Sequence, residues 1–248
     1  MDKLSEILNI IYAALCDPNS KYFLGDEHGI LGSGILGILY RTFKAPDFWC
    51  YFAAYLIAAI PFGLLIGRYL GGGVDIKSEG SGSIGATNVL RVLKTRDPKK
   101  AKKLAILTVA CDALKGVLPI LIARALSFDE NVLWSMAVFA VLGHCFSPYL
   151  KFNGGKGIAT GAGVLACFIP IELIIALAVW FVVGKTVKIS SVASLAAALA
   201  LVIASYVIHP QMPAINTHAP IFLIVFIVFY KHAPNIARLL KGEEKRVV

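Results

Sequence analysis

Charge is what this sequence has little of. Only 16% of its 248 residues are Asp, Glu, Lys or Arg, whereas 58% are hydrophobic. A soluble domain is closer to half apolar and a quarter charged. Acids are scarcer than bases, 15 against 24, for a formal net charge of +9. In a soluble protein that excess would point to nucleic acid. Here the basic residues sit in particular segments between apolar runs, so membrane topology and anionic ligands account for them and no nucleic acid is expected. Cysteine is sparse: Cys16, Cys50, Cys111, Cys145 and Cys167 show no CxxC spacing, and four lie in apolar surroundings. They read as packing residues, which sets aside a disulfide framework. No metal-ligand cluster of His, Asp, Glu or Cys appears. The chain opens without a basic, short-core signal peptide ending in an A-x-A-like cleavage site. A Walker loop is absent too, because Leu150 and Gly157 stand where that pattern needs Gly and Ser or Thr.

What the chain has is long apolar runs, several of them near the ~18–20 residues that span a bilayer. The expected architecture is an all-α, polytopic bundle of about seven membrane helices, some short or broken. The first clear span is 48–70, loosened near Pro61 and Gly63; 104–126 and 131–150 follow. The next run, 158–183, raises a question of parity. As one span it would put Lys185 and Lys188 opposite the earlier basic loops. Broken near Pro170 into two passes, it leaves every Lys- or Arg-bearing loop after Phe48 on one side. Proline disfavours helix at the residue before it, and positive-inside bias favours the broken version. Spans at 189–208 and 214–230 complete the set, and the C-terminal tail falls on the basic side. Residues 1–47, with apolar segments too short to span, read as an N-terminal extension of unassigned role, and 48–248 as a single membrane domain.

That topology gathers three polar segments on one face. The first contains Gly80, Ser81, Gly82, Ser83, Gly85, Thr87, Asn88 and Arg91. Its glycines match G-x-G-x-x-G formally, but no strand precedes it and no βαβ unit surrounds it, so a dinucleotide fold is excluded. Glycine, hydroxyl, amide and guanidinium groups at this density suit phosphate oxygens, although a hydrophilic linker shares the composition. The second runs from Gly143 and His144 through Lys151, Gly154, Gly155, Lys156 and Gly157 to Thr160. Glycines let backbone N–H groups approach an oxyanion and a lysine adds a point charge. A polar turn between membrane helices would look similar. The third contains His232, Asn235, Arg238 and Glu244. An amphipathic juxtamembrane helix is one reading of it. Yet His232 and Asn235 are three apart and share a helical face.

Taken together, these segments resemble the three motifs of the bacterial acyl-phosphate:glycerol-3-phosphate acyltransferase family (the PlsY family), over about Phe48 to Glu244. The third motif, H-R-x-N-I-x-R-L-x-x-G-x-E, is matched at His232, Asn235, Ile236, Arg238, Leu239, Gly242 and Glu244. Ser83 stands where the family usually has Asn, Ser147 where it has Pro, and Ala233 where it has Arg. The resemblance implies phospholipid biosynthesis at the bacterial cytoplasmic (inner) membrane, with the site and the C-terminus facing the cytoplasm. The reaction it implies moves a fatty acyl group from acyl phosphate to the 1-hydroxyl of sn-glycerol 3-phosphate. Lysophosphatidate and phosphate would be the products, and no cofactor or metal is needed. It makes Ser81, Arg91, Lys156, His232 and Asn235 the catalytic core. Gly80, Gly82, Ser83, Thr87, Asn88, His144, Lys151, Gly154, Gly155, Gly157, Thr160, Arg238 and Glu244 are the expected substrate-binding residues.

The expected base is the substrate itself. An H-x4-D dyad is missing, since Pro148 follows His144 at that spacing, and no G-x-S-x-G elbow exists. An acyl phosphate is already activated and carries basic oxygens; His232 is the next candidate. Asp112 and Lys115, on adjacent turns inside a span, read as a structural intramembrane pair or as a feature near the site. An anion permease would also show short, broken helices, but no inverted repeat is visible and the glycine-rich loops share one side.

Overall fold

A computed structural model describes residues 45–244 and 246, and regular structure among them is entirely helical. The expected extension, 1–47, lies outside the described residues apart from its last three. The chain divides into two units, Met1–Trp49 and Cys50–Val248. The helices are α1 (Pro46–Ala58), α2 (Phe62–Leu65, continued by a π-helical turn at Ile66–Leu70), α3 (Ala86–Lys94), α4 (Pro98–Ala125) and α5 (Glu130–Cys145). A 3₁₀ turn at Pro148–Leu150 precedes α6 (Ile158–Ala166), α7 (Pro170–Val187), α8 (Ser190–Ile208), α9 (Ala219–Lys231) and α10 (Ala233–Leu240).

Local chemistry explains the boundaries. Pro61 parts α1 from α2, because proline brings no N–H to the helical ladder. Asp97 caps α4 by accepting the Lys100 N–H at 3.0 Å, with Pro98 in the first turn. Pro170 opens α7 in the same position. The run 158–183 is therefore broken where the proline demanded, between Ala166 and Pro170.

Among the described residues, five helices are long and apolar enough to cross a membrane, or six if the bent pair α9–α10 counts as one span. Seven were expected. The difference is α6, whose nine residues fall well short of the ~20 that span a bilayer. It runs from the cavity toward the far end of the bundle. Gly157, at its start, lines the same cavity as Arg91. Cys167, just past its end, offers its carbonyl to Arg124 of α4's last turn at 2.9 Å.

The core lies where α4, α5, α6 and α9 meet, filled by Ile120, Leu133, Met136, Val141, Val164, Ile221 and Ile224. Trp134 stacks on Phe168 at 4.1 Å between ring centres. Small residues bring α4 and α6 together: a β-carbon on Gly163 would lie 2.7 Å from the Ala113 carbonyl oxygen. The outer faces carry large apolar side chains, among them Ile106, Leu118 and Ile122 on α4 and Ile174, Phe181 and Val182 on α7. Only Glu172 and Ala176 of α7 are buried. Such faces suit hydrocarbon, not water.

Candidate active site

The first loop is folded around one side chain. Asn88, 1% exposed at the start of α3, accepts the Ser81 N–H through Oδ1 at 2.8 Å. Its Nδ2 donates to the carbonyls of Ile76, Glu79 and Ser83 at 2.8, 3.1 and 2.9 Å. Gly80 and Gly82, both at φ +68°, supply the left-handed turns this wrapping needs. Ser83, in the family's Asn position, accepts the Gly85 N–H at 3.3 Å.

The second loop is tied to the ends of other helices. Ser147, fully buried, donates from Oγ to the carbonyl of Ala59 at 2.7 Å, in the break of the first span. This hydroxyl is what the chain has in place of the family's proline. Gly154 and Gly155 donate their N–H groups to the carbonyls of Cys145 and His144 at 3.2 and 3.0 Å. Gly157, at φ +81°, turns the chain into α6. Lys77 reaches across from the first loop to the Asn153 carbonyl at 3.2 Å.

The third segment is gathered by a carboxylate. Glu244 Oε1 accepts from Asn235 Nδ2 at 2.6 Å and from Ser191 Oγ at 2.9 Å, and Oε2 accepts from Arg238 Nε at 2.7 Å. Burial pushes this carboxyl's pKa up, but the three hydrogen bonds outweigh it and the net shift is downward. Because Nδ2 of Asn235 is committed to Glu244, its Oδ1 remains an acceptor. His232 donates from Nδ1 to the Val228 carbonyl at 2.7 Å, which fixes the tautomer and leaves the lone pair on Nε2.

These three segments wall one cavity of about 310 Å³. Ser81, Arg91, Lys156, His232 and Asn235 all line it, as do Ser83, Thr87, Asn88, His144, Gly157 and Glu244. The remaining expected binding residues do not line it. Thr160 is fully buried and donates to the Asp112 carbonyl at 2.7 Å. Arg238 braces Glu244, and Gly154 and Gly155 shape the loop. Gly80 and Gly82 turn around Asn88, and Lys151 sits exposed in a left-handed turn. Ala233, in the family's Arg position, is exposed in the first turn of α10.

Sequence reasoning missed a wall. Ser190, Ser191 and Ser194 of α8, with Leu177 and Trp180 of α7, also line the cavity. A serine pair opening an apolar run looks like any helix start, so no local signal marked them. Asp112 lines the cavity too, which joins the intramembrane pair to the site.

The electrostatics are lopsided. Among the described residues no carboxylate pairs with Arg91 or Lys156. Burial draws the Lys156 ammonium down to about 8; Glu244 opposes this, while Arg238 and Arg91 add to it. Two uncommitted cations and the acceptors on His232 and Asn235 line the same cavity, a chemistry that suits an oxyanion carrying hydroxyl groups. Gly157, Ile158, Ala162, Leu177, Trp180 and Ser194 are shared with a second, apolar pocket between α6, α7, α8 and α9. A polar chamber thus adjoins an apolar one. No group of His, Cys, Asp or Glu among the described residues is arranged to hold a metal.

Known proteins show the same architecture. A family model described as glycerol-3-phosphate acyltransferase matches residues 48–242. A glycerol-3-phosphate acyltransferase of Campylobacter concisus is 62% identical over 198 residues, covering 80% of this chain and 97% of the relative. One of Wolinella succinogenes is 56% identical over 203 residues, 82% and 97% of the two chains. The crystal structure of PlsY (YgiH), an integral membrane glycerol 3-phosphate acyltransferase in its glycerol 3-phosphate form, superposes with a TM-score of 0.72. It shares 33% identity over 82% of this chain and 96% of that one. The chain belongs to the glycerol-3-phosphate acyltransferase family of integral membrane proteins.

Proposed function

We propose that this protein transfers a fatty acyl group from acyl phosphate to the 1-hydroxyl of sn-glycerol 3-phosphate. Lysophosphatidate and inorganic phosphate leave. The observation that carries this reading is the adjacency of two chambers: a polar one with two unpaired cations, and an apolar one that shares Leu177 and Trp180 as a common wall. The first suits phosphate groups and the second suits the start of an acyl chain. Arg91 offers a bidentate fork to the phosphate of glycerol 3-phosphate. Lys156 holds the acyl-phosphate headgroup and then the departing phosphate. The acceptors left on His232 and Asn235, with the Ser81 hydroxyl, orient the glycerol.

The attacking oxygen forms a bond to the acyl carbon, and the bond from that carbon to the phosphate oxygen breaks. The hydroxyl proton passes to the phosphate, which is basic enough to take it, so the protein supplies proximity and charge and the substrate supplies the base. The resemblance to the family and the Lys and Arg of the loops on the cavity side support a site facing the cytoplasm from the inner membrane. The test is purified protein in detergent with synthetic acyl phosphate and labelled glycerol 3-phosphate, in parallel with acyl-CoA and acyl carrier protein as donors. Lysophosphatidate formation from acyl phosphate alone is expected. Formation only from a thioester would sink the choice of donor.

A further inference from the structure

We propose that Asp112, Lys115 and His144 form a buried bracket that positions Lys156, resting on the reading that Lys156 holds a phosphate. None of the three has a part in the acyl transfer just described. All are almost fully buried, at 2%, 3% and 4% exposure. A buried ion pair within a membrane helix is seldom retained for stability alone, since well-packed apolar residues do as well or better.

The contacts give each member a task. Lys115 Nζ lies 2.7 Å from Asp112 Oδ1 and donates to the Ile60 carbonyl at 2.7 Å, beside the break at Pro61. The ammonium therefore ties α4 to the first span. The Asp112 backbone carbonyl holds Thr160 at 2.7 Å and so fixes α6. His144 turns Nδ1 toward Asp112 Oδ1 at 3.7 Å, and this buried nitrogen has no hydrogen-bond partner. The other side of its ring lies against the α-carbon of Gly155, where a β-carbon would run into Nε2. The His144 carbonyl also accepts the Gly155 N–H at 3.0 Å. The imidazole is thus a wedge between the α4 carboxylate and the residue immediately before Lys156. Asp112 and His144 reach the cavity wall and Lys156 is part of that wall, so movement of the wedge moves the ammonium.

The bracket can be read at Lys156 without reference to any substrate. The full-length protein in detergent is labelled with an amine-acylating reagent across a pH series, and modification of Lys156 is followed by mass spectrometry. Asp112→Asn alone would strand a buried ammonium and unfold the span, so the working variant is the neutral pair Asp112→Asn with Lys115→Met. His144→Ala is the second variant. In wild type, Lys156 titrates near the depressed value of about 8. Both variants should keep a cooperative melt yet shift that midpoint upward by about one pH unit, toward free lysine, as the loop loosens. The KM for acyl phosphate should rise about tenfold, with that for glycerol 3-phosphate changed less than about twofold. An unchanged Lys156 midpoint in the folded variants overturns the bracket. A shifted midpoint with an unchanged KM for acyl phosphate supports the bracket and overturns instead the assignment of that phosphate to Lys156.

Discussion

At the scale of single residues, Lys156 carries a charge that depends on pH within the working range. Burial brings its pKa to about 8, so the cation is present at pH 7 and is lost as the pH rises through that value. The KM for acyl phosphate should climb between pH 7 and 9, and Lys156→Arg should flatten the climb because guanidinium stays protonated. Lys156→Ala and Arg91→Ala should each abolish turnover in folded protein, and near-wild-type activity in either would overturn the phosphate assignments. Glu244 works with the opposite sign. Its folded pKa lies below the ordinary 4.5, so its contribution to stability is complete above that value and fades as pH falls through the lower folded one. Glu244→Ala should cost about 2 kcal/mol at pH 7, because Asn235, Ser191 and Arg238 lose a shared acceptor. Thermal melts at neutral and strongly acidic pH check this, and the gap from wild type should narrow in acid. The role of Glu244 as a brace was legible only as membership of a motif. Its bond to Ser191 joins residues 53 positions apart, and nothing local to either announces it.

Among the elements, the contact between α4 and α6 is set by small residues. Gly163→Leu would drive a side chain into the Ala113 backbone, so α6 must shift and carry Gly157 and the neighbouring Lys156 with it. A loss of about 2–3 kcal/mol and of activity is expected. Gly184→Ala is the control, since its β-carbon meets only Ala193 at 3.7 Å, and a helical glycine replaced by alanine stabilises by up to about 0.5–1 kcal/mol. Equal effects of the two substitutions on the melting temperature would refute the steric account. The break before α7 could be read from Pro170, because proline acts through its own backbone. The length of α6 could not. Hydropathy scores the run after Gly157 as apolar throughout, and Pro170 marks only the start of α7; that α6 already ends at Ala166, with Arg124 taking the Cys167 carbonyl, is a tertiary contact no local signal carries.

For the whole molecule, the ends of the bundle are chemically distinct. One end holds the cavity; the other holds Arg124 with Glu130, and Glu172 bound to His209. Cysteine tags at residues 184–188 and at the C-terminus, labelled with a membrane-impermeant reagent in intact cells, should both be protected. Labelling of only one would restore a single span across Pro170. The polar loops were legible as sites because glycine and charge stand out against an apolar background. Their convergence was not, since it depends on which way each helix runs. The nine residues of α6 rise only about 13 Å, less than half the ~30 Å of bilayer hydrocarbon. The polar chamber begins at its first turn, where Gly157, Ile158 and Ala159 line it. For the proposed substrates, the acyl chain then stays in hydrocarbon throughout, and it is the water-soluble glycerol phosphate that descends to meet it. On that proposed reaction, two immiscible reactants are reconciled by lowering the water's edge instead of lifting the lipid.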